Sequence, residues 1–229
     1  MKNNLCIIPA RGGSKRIPRK NIKLFLGEPI IAYSIKAALD SKLFDEVVVS
    51  TDDKEIAEIA TKYGATVPFM RTNATSNDFA TLSDVIEEVK LFYLNKLISF
   101  KNICCLLATA PFVSPNLLKS HYEYMIDNNY DSVRPIVKFG YPIQRALRNN
   151  DGKIEMFNPE FFKTRSQDLE PAFHDAGMFY WMDFEKGLLG ENKAGIEISE
   201  KLVQDIDTLD DWELAEFKFQ YLEKSHVSR

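Results

Sequence analysis

Apolar positions in the first half of the chain follow two alternating rhythms. Leu5-Cys-Ile-Ile8 is an unbroken apolar run that reads as a strand buried on both faces, and Pro9 ends it. Pro29 suits a first helical position and opens a helix to about Ala38. Glu46-Val-Val-Val-Ser50 gives a second strand. From Asp53 to Tyr63, residues Ile56, Ile59, Ala60 and Tyr63 recur at helical spacing, with Gly64 as the stop. A third helix from about Thr81 aligns Leu82, Val85, Ile86, Val89 and Tyr93 on one face. Ile103-Cys-Cys-Leu-Leu-Ala108 is again a strand covered on both sides, and Ser114-Pro115 caps and starts a helix to about Asp127.

This alternation predicts an α/β fold: a Rossmann-like, doubly wound, mostly parallel sheet. Such sheets bind ligands beyond the carboxyl ends of their strands, so the loops at Ala10–Lys23, Thr51–Asp53 and Thr109–Ser114 are expected to share one edge. After residue 130 the rhythm changes. Ser132–Lys138, Ile143–Arg148 and Lys153–Phe157 read as strands, with a hairpin signal at Asn149-Asn-Asp-Gly152. The expectation is one domain over residues 1–229, with residues 131–170 protruding as an antiparallel, β-rich lid or oligomer contact. Gly177–Met182 then returns as a strand, and a final helix from about Leu209 turns Trp212, Ala215, Phe219 and Leu222 to the core.

Composition adds exclusions. With 45% hydrophobic and 27% charged residues, the 229-residue chain is neither disordered nor collagen-like. Its longest apolar runs fall far short of the ~18 residues that cross a bilayer. With no secretory leader in view, a cytoplasmic protein without a membrane partner is expected. Three cysteines, two of them adjacent at Cys104 and Cys105, make a poor disulfide or metal framework and read as buried free thiols. The net charge of −4 is unevenly spread: residues 1–27 hold seven basic side chains and no acid, while Asp205–Glu216 hold six acids and no base. Two such segments can build one site in which cations hold a polyanion and carboxylates hold its metal. They can equally be two solvated faces.

Spacing favours the site. Pro9-Ala-Arg-Gly-Gly-Ser-Lys-Arg-Ile-Pro-Arg-Lys-Asn-Ile22 follows the first strand directly. Paired glycines let backbone N–H groups approach phosphate oxygens, with Arg11 and Lys15 as fixed charge and Ser14 as a hydroxyl. It is neither a Walker loop nor a dinucleotide fingerprint. Aromatic stacking residues are missing around it and the chain is acidic, so a nucleic-acid partner is not expected. On an extended segment, Asp205 and Asp207 point their carboxylates to the same side and suit Mg²⁺ shared with substrate phosphates, although acids also favour a helix start. Arg165 can clasp a carboxylate in two-pronged fashion, and His174 with Asp175 can hydrogen-bond hydroxyls. No nucleophile elbow or Ser/His/Asp set is present, and covalent catalysis is not suggested.

Ile8-Pro-Ala-Arg-Gly-Gly-Ser-Lys-Arg-Ile-Pro-Arg-Lys-Asn-Ile22 resembles the amino-terminal signature of the CMP-sialic acid synthetases, the acylneuraminate cytidylyltransferases. The resemblance continues through Val49-Ser-Thr-Asp52, Arg71, Asp78–Asp84, Arg165-Ser-Gln-Asp-Leu169 and Asp205-Ile-Asp207. Ala108-Thr-Ala-Pro-Phe112, and His174-Asp-Ala-Gly177 after the Arg165 segment, look most like the pseudaminic acid branch. The resemblance implies that CTP and a nine-carbon 2-keto sugar acid give a CMP-sugar and pyrophosphate with Mg²⁺, in a homodimer built through the protruding region. It assigns Arg11, Gly12, Gly13, Ser14 and Lys15 to the triphosphate, Lys20 and Asn21 to the nucleotide and reacting phosphate, and Arg71 and Thr81 to the cytidine. Arg165 and Gln167 would face the sugar, and Asp205 and Asp207 would bind the metal. Where sialic acid enzymes carry Gln-Pro-Thr-Ser-Pro this chain has Ala108-Thr-Ala-Pro111, and Asp175-Ala-Gly177 replaces their Asn-Gly-Ala. Sialic, legionaminic and Kdo-type acids are the competing substrates. A non-catalytic nucleotide-binding module is the competing class, against which the presence of both Asp205 and Asp207 speaks.

Overall fold

Apolar runs become strands and the 3.6-residue patterns become helices. The computed structural model describes residues 1–227. The chain opens with β1 (Lys2–Pro9), the two-residue strands β2 (Leu24–Phe25) and β3 (Glu28–Pro29), and α1 (Ile30–Ser41). Next come β4 (Glu46–Ser50), α2 (Lys54–Lys62), α3 (Asn73–Ser76), α4 (Leu82–Leu94), β5 (Phe100–Leu106) and α5 (Pro115–Asp127). The second half holds β6 (Ser132–Lys138), β7 (Leu147–Asn150), β8 (Lys153–Met156), β9 (Phe173–Asp175), β10 (Phe179–Asp183), β11 (Lys193–Glu197) and α6 (Leu209–Val227). Among the described residues, no helix is long and apolar enough to cross a membrane.

The main sheet has seven strands, ordered β11-β6-β10-β5-β1-β4, with β9 alongside β6. β1 lies between β4 and β5, parallel to both, so that Cys6 stands opposite Val47 on one side and Cys104 on the other. β10 runs antiparallel between β5 and β6, and β11 is parallel to β6. The chain leaves β1 for β4 on one side and returns to β5 on the other. The carboxyl end of β1 therefore lies at a topological switch point, where open α/β sheets bind ligands.

Alternation along β1 feeds two apolar layers. Cys6 and Ile8 pack with Ile31 and Ile35 of α1, whereas Leu5 and Ile7 pack with Ile86, Val89 and Tyr93 of α4. Burying each large aliphatic chain contributes about 1.5–3 kcal/mol over leaving it exposed. A third cluster joins the two ends of the chain: Ile17, Phe25 and Ile30 with Ile206, Trp212 and Ala215. At its centre the Phe25 ring makes edge contacts with Tyr33, Trp212 and Phe219 at 5.4, 5.7 and 5.6 Å. This cluster docks α6, and the acidic segment just before it, against the basic loop.

The protruding region starts later than its sequence pattern indicates. Ser132–Lys138 is an internal strand of the main sheet, because Val133 and Val137 are buried in the layer that contains Ile31 and Trp181. The Ile143–Arg148 strand is shortened as well, since Pro142 leads into a tight helical turn over Ile143–Arg145 and pairing begins at Leu147. The hairpin forms where its turn residues require: Asp151 and Gly152, at φ 52 and 90, sit between the paired Asn150 and Lys153. β11 has no clear sequence signature, since Gly195 weakens strand propensity and only Ala194 and Ile196 mark its half-buried face.

Candidate active site

The loop after β1 is fastened from below. Asn21, buried, donates its side-chain amide to the carbonyl of Arg11 at 2.9 Å. The Gly12 N–H donates to Asp52 Oδ1 at 2.8 Å, and the Ser14 N–H to the Gly12 carbonyl at 3.0 Å. A Cβ at Gly12 would lie 2.7 Å from Asp53 Oδ2, so the close approach requires glycine. Asp53 caps α2 by accepting from the Ile56 N–H at 3.0 Å and also pairs with Arg19, which holds its carboxyl below the usual carboxylate range. Arg19 itself sits in the left-handed region at φ 56. The N–H groups of Gly12 and Ser14 bind protein oxygens, and neither Gly12 nor Gly13 lines the cleft. The surface offered to an anion is the charge of Arg11 and Lys15 with the Ser14 side chain.

That surface faces a cleft of ≈ 320 Å³ at the strand ends. Arg11, Ser14, Lys15, Lys20, Asn21, Arg71 and Thr81 all line it, over a floor that includes Leu107 and Ala108. Arg71 donates from Nε to Ser50 Oγ and from Nη2 to the Ser50 carbonyl, each at 2.8 Å. Burial pulls its pKa down against the opposing pull of Asp52 and Glu88, but a guanidinium stays cationic in a protein. Thr81 caps α4 in a reciprocal box with Asp84, which accepts a hydrogen bond from its hydroxyl at 2.8 Å.

The two ends of the chain meet at this cleft. Arg16 Nη1 lies 2.5 Å from Asp207 Oδ2 across 191 sequence positions, and Lys20 Nζ lies 3.5 Å from Asp207 Oδ1. Lys20 also donates to the Ile206 carbonyl at 2.6 Å. Ile206 is buried between Asp205 and Asp207. Asp205 lines a second cavity of ≈ 240 Å³ with His174, Asp175, Gln204 and Lys218.

The residues expected at the sugar divide. His174 is exposed, with Nδ1 2.9 Å from the Asp175 carbonyl and its ring against Phe139. Asp175 already accepts from Arg134 at 3.0 Å, the Tyr180 hydroxyl at 3.2 Å and the Gly177 N–H at 2.8 Å, so its carboxylate first holds the turn between β9 and β10. Arg165 and Gln167 are exposed on the protruding region and line neither cavity. Among the described residues, no three His, Cys, Asp or Glu side chains gather as a metal cage. A Mg²⁺ site does not require such a cage, because the ion typically takes one or two carboxylates and completes its shell with water and substrate phosphate. Cys6, Cys104 and Cys105 are buried free thiols; burial raises the pKa of Cys104 and Cys105, which leaves them unreactive.

Sequence reasoning missed three acids as individual site residues. Asp52 and Asp53 follow β4 at the predicted binding edge, a placement that marks them in retrospect. Asp78 is a lone acid in a polar stretch, yet it pairs with both Arg11 and Lys15, at 3.0 and 2.5 Å.

Residues 5–224 match the family model described as Cytidylyltransferase. The chain is 45% identical over 224 residues to a pseudaminic acid cytidylyltransferase of Campylobacter jejuni, covering 95% of this chain and 96% of the relative. It is 37% identical to the CMP-N,N'-diacetyllegionaminic acid synthase of Legionella pneumophila, covering 93% and 94%. A solved CMP:2-keto-3-deoxy-manno-octonic acid synthetase complexed with CTP shares the fold, with a TM-score of 0.71 at 18% identity over 96% of this chain and 99% of that one. With the switch-point cleft and its converging charges, these matches establish that the chain belongs to the cytidylyltransferase family.

Proposed function

We propose that this protein transfers the cytidylyl group of CTP to pseudaminic acid, a nine-carbon 2-keto sugar acid, and releases pyrophosphate. The observation that carries the reading is the gathering of Arg11, Lys15 and Lys20 on one cleft beyond the end of β1, with Lys20 also reaching Asp207 at 3.5 Å. The anomeric hydroxyl oxygen attacks the α-phosphorus in line. The new O–P bond forms as the bond to the pyrophosphate oxygen breaks, and the hydroxyl proton passes to solvent water.

Catalysis of this kind rests on positioning and neutralised charge. Arg11 and Lys15 hold the β- and γ-phosphates, Lys20 reaches the reacting phosphate, and Asn21 keeps the loop in shape. Arg71 and Thr81 border the nucleoside, while His174 and Asp205 border the sugar. Mg²⁺ held by Asp205 and Asp207 would supply Lewis-acid neutralisation of phosphate charge when bound.

The same reading makes the protein a homodimer in which Arg165 and Gln167 of a second copy meet the sugar carboxylate. Its support is the exposed apolar surface of the protruding region, where Tyr141, Leu147, Ile154, Phe157 and Phe162 lie open and an isolated hairpin is marginal. Three free thiols accord with the cytoplasm, where thiols stay reduced.

The deciding assay is pyrophosphate release from CTP with pseudaminic, legionaminic, sialic and Kdo acids in parallel. The highest kcat/KM is expected for pseudaminic acid. Preference for another acid overturns the substrate, and CTP binding without release for any acid overturns the reaction.

A further inference from the structure

We infer that Asp78 is a built-in competitor for the phosphate loop, its carboxylate occupying the two cations that the triphosphate must take and retaking them as pyrophosphate leaves. The inference rests on the assignment of Arg11 and Lys15 to the triphosphate. Its geometry is specific: Oδ1 accepts from Arg11 Nη1 at 3.0 Å and Oδ2 from Lys15 Nζ at 2.5 Å. Each carboxylate oxygen thus faces one cation, as two oxygens of a phosphate would. Asp78 also lines the cleft, so it stands within the space a ligand needs. The Lys15 hydrogen bond, with Arg11 behind it, holds its carboxyl below the usual range, and it is charged at neutral pH.

The segment that carries Asp78 is fixed at its ends and loose between them. At the front, Glu88 of α4 accepts from the Thr72 N–H at 3.1 Å, the Thr72 hydroxyl at 2.8 Å and the Thr75 hydroxyl at 2.6 Å. At the back, Thr81 is locked into the α4 cap. In between, Asn77 bonds only within the segment, to Asn73, Ala74, Phe79 and Ala80. The Phe79 side chain packs on nothing, at 92% exposure. Among the described residues, the hydrogen bonds and ion pairs tying Asn77–Ala80 to another element are those of Asp78 with the phosphate loop. Both pairs are half-exposed and therefore weak, which a competitor has to be if substrate is to displace it.

The consequence is selective. A ligand that uses Arg11 and Lys15 must first release Asp78, whereas a ligand that touches only the nucleoside side need not. Asp78 therefore sets how much the phosphate chain contributes to affinity, and it favours departure of the leaving group.

The test is titration calorimetry of the full chain with inorganic pyrophosphate, CTP and cytidine. In Asp78→Asn the Kd for pyrophosphate and for CTP is expected to fall about three- to tenfold, and that for cytidine to stay put. Asp78→Ala, which adds no amide donor, is expected to show the same gain. Unchanged or weaker pyrophosphate binding in both variants overturns the inference. Lys15→Ala separates this from the underlying reading. Weaker pyrophosphate binding there supports the phosphate loop, and in Lys15→Ala/Asp78→Ala the gain should shrink. Pyrophosphate binding unaffected by Lys15→Ala overturns the loop assignment itself.

Discussion

Single atoms decide much of the site. A methyl group at Gly12 would collide with Asp53 Oδ2, the atom that receives Arg19. Gly12→Ala is therefore expected to shift the loop and raise the KM for CTP more than it lowers the melting temperature. Asp207 sits between Arg16 and Lys20 at the rim. Asp207→Ala is expected to reduce kcat by about 10²–10³, the usual cost of removing one preorganised charge-stabilising group, with the fold retained by circular dichroism. His121 makes a different kind of prediction. It is buried against Phe179, its Nε2 has no partner, and burial lowers its pKa from 6.5 to about 4, opposed by the hydrogen bond with the Leu117 carbonyl. Above pH 6.5 both folded and unfolded states are neutral. As pH falls towards 4 only the unfolded chain takes up the proton, and up to about 3 kcal/mol of stability is lost. Chemical denaturation at pH 7 and pH 5 should show a steeper loss in the parent chain than in His121→Leu; equal slopes would contradict the assignment.

At the scale of elements, Phe25 ties the amino-terminal loop to α6. Phe25→Ala is expected to cost about 3–5 kcal/mol by denaturant titration and to reduce activity further by loosening the segment that carries Asp205 and Asp207. Elements with strong local signals were legible in the sequence. α5 has its Ser114-Pro115 start and α2 its helical spacing up to Gly64, and both form where their patterns predict; the Asn149–Gly152 signal marks the β7–β8 hairpin, although β7 begins only at Leu147. β9, β11 and the central place of β6 were not legible. Their pairing is set by residues tens of positions away, such as Val133 opposite Trp181 and Ala194, and nothing local encodes which neighbour a strand takes.

For the whole molecule, the site was legible as charge before it was legible as geometry. The basic start and acidic finish pointed to a shared ligand, and Arg16 meets Asp207 across 191 positions. In the sequence Asp78 marks only the start of a resembling stretch, and its contact was not legible because only the fold carries it over Arg11. Arg165 and Gln167 line neither cavity of this chain. Dimerisation is accordingly expected in sedimentation, and Ile154→Ser with Phe162→Ser is expected to yield monomers that bind CTP but turn over sugar poorly; a fully active monomer would contradict that arrangement. The central claim is that cations from one end of the chain and carboxylates from the other grip one triphosphate. Crystals grown with CTP and Mn²⁺ test it most directly, through the anomalous signal of the metal. The account expects phosphates on Arg11 and Lys15 and the metal on Asp207. A triphosphate bound away from the β1 loop, or a metal that touches neither Asp205 nor Asp207, would contradict it.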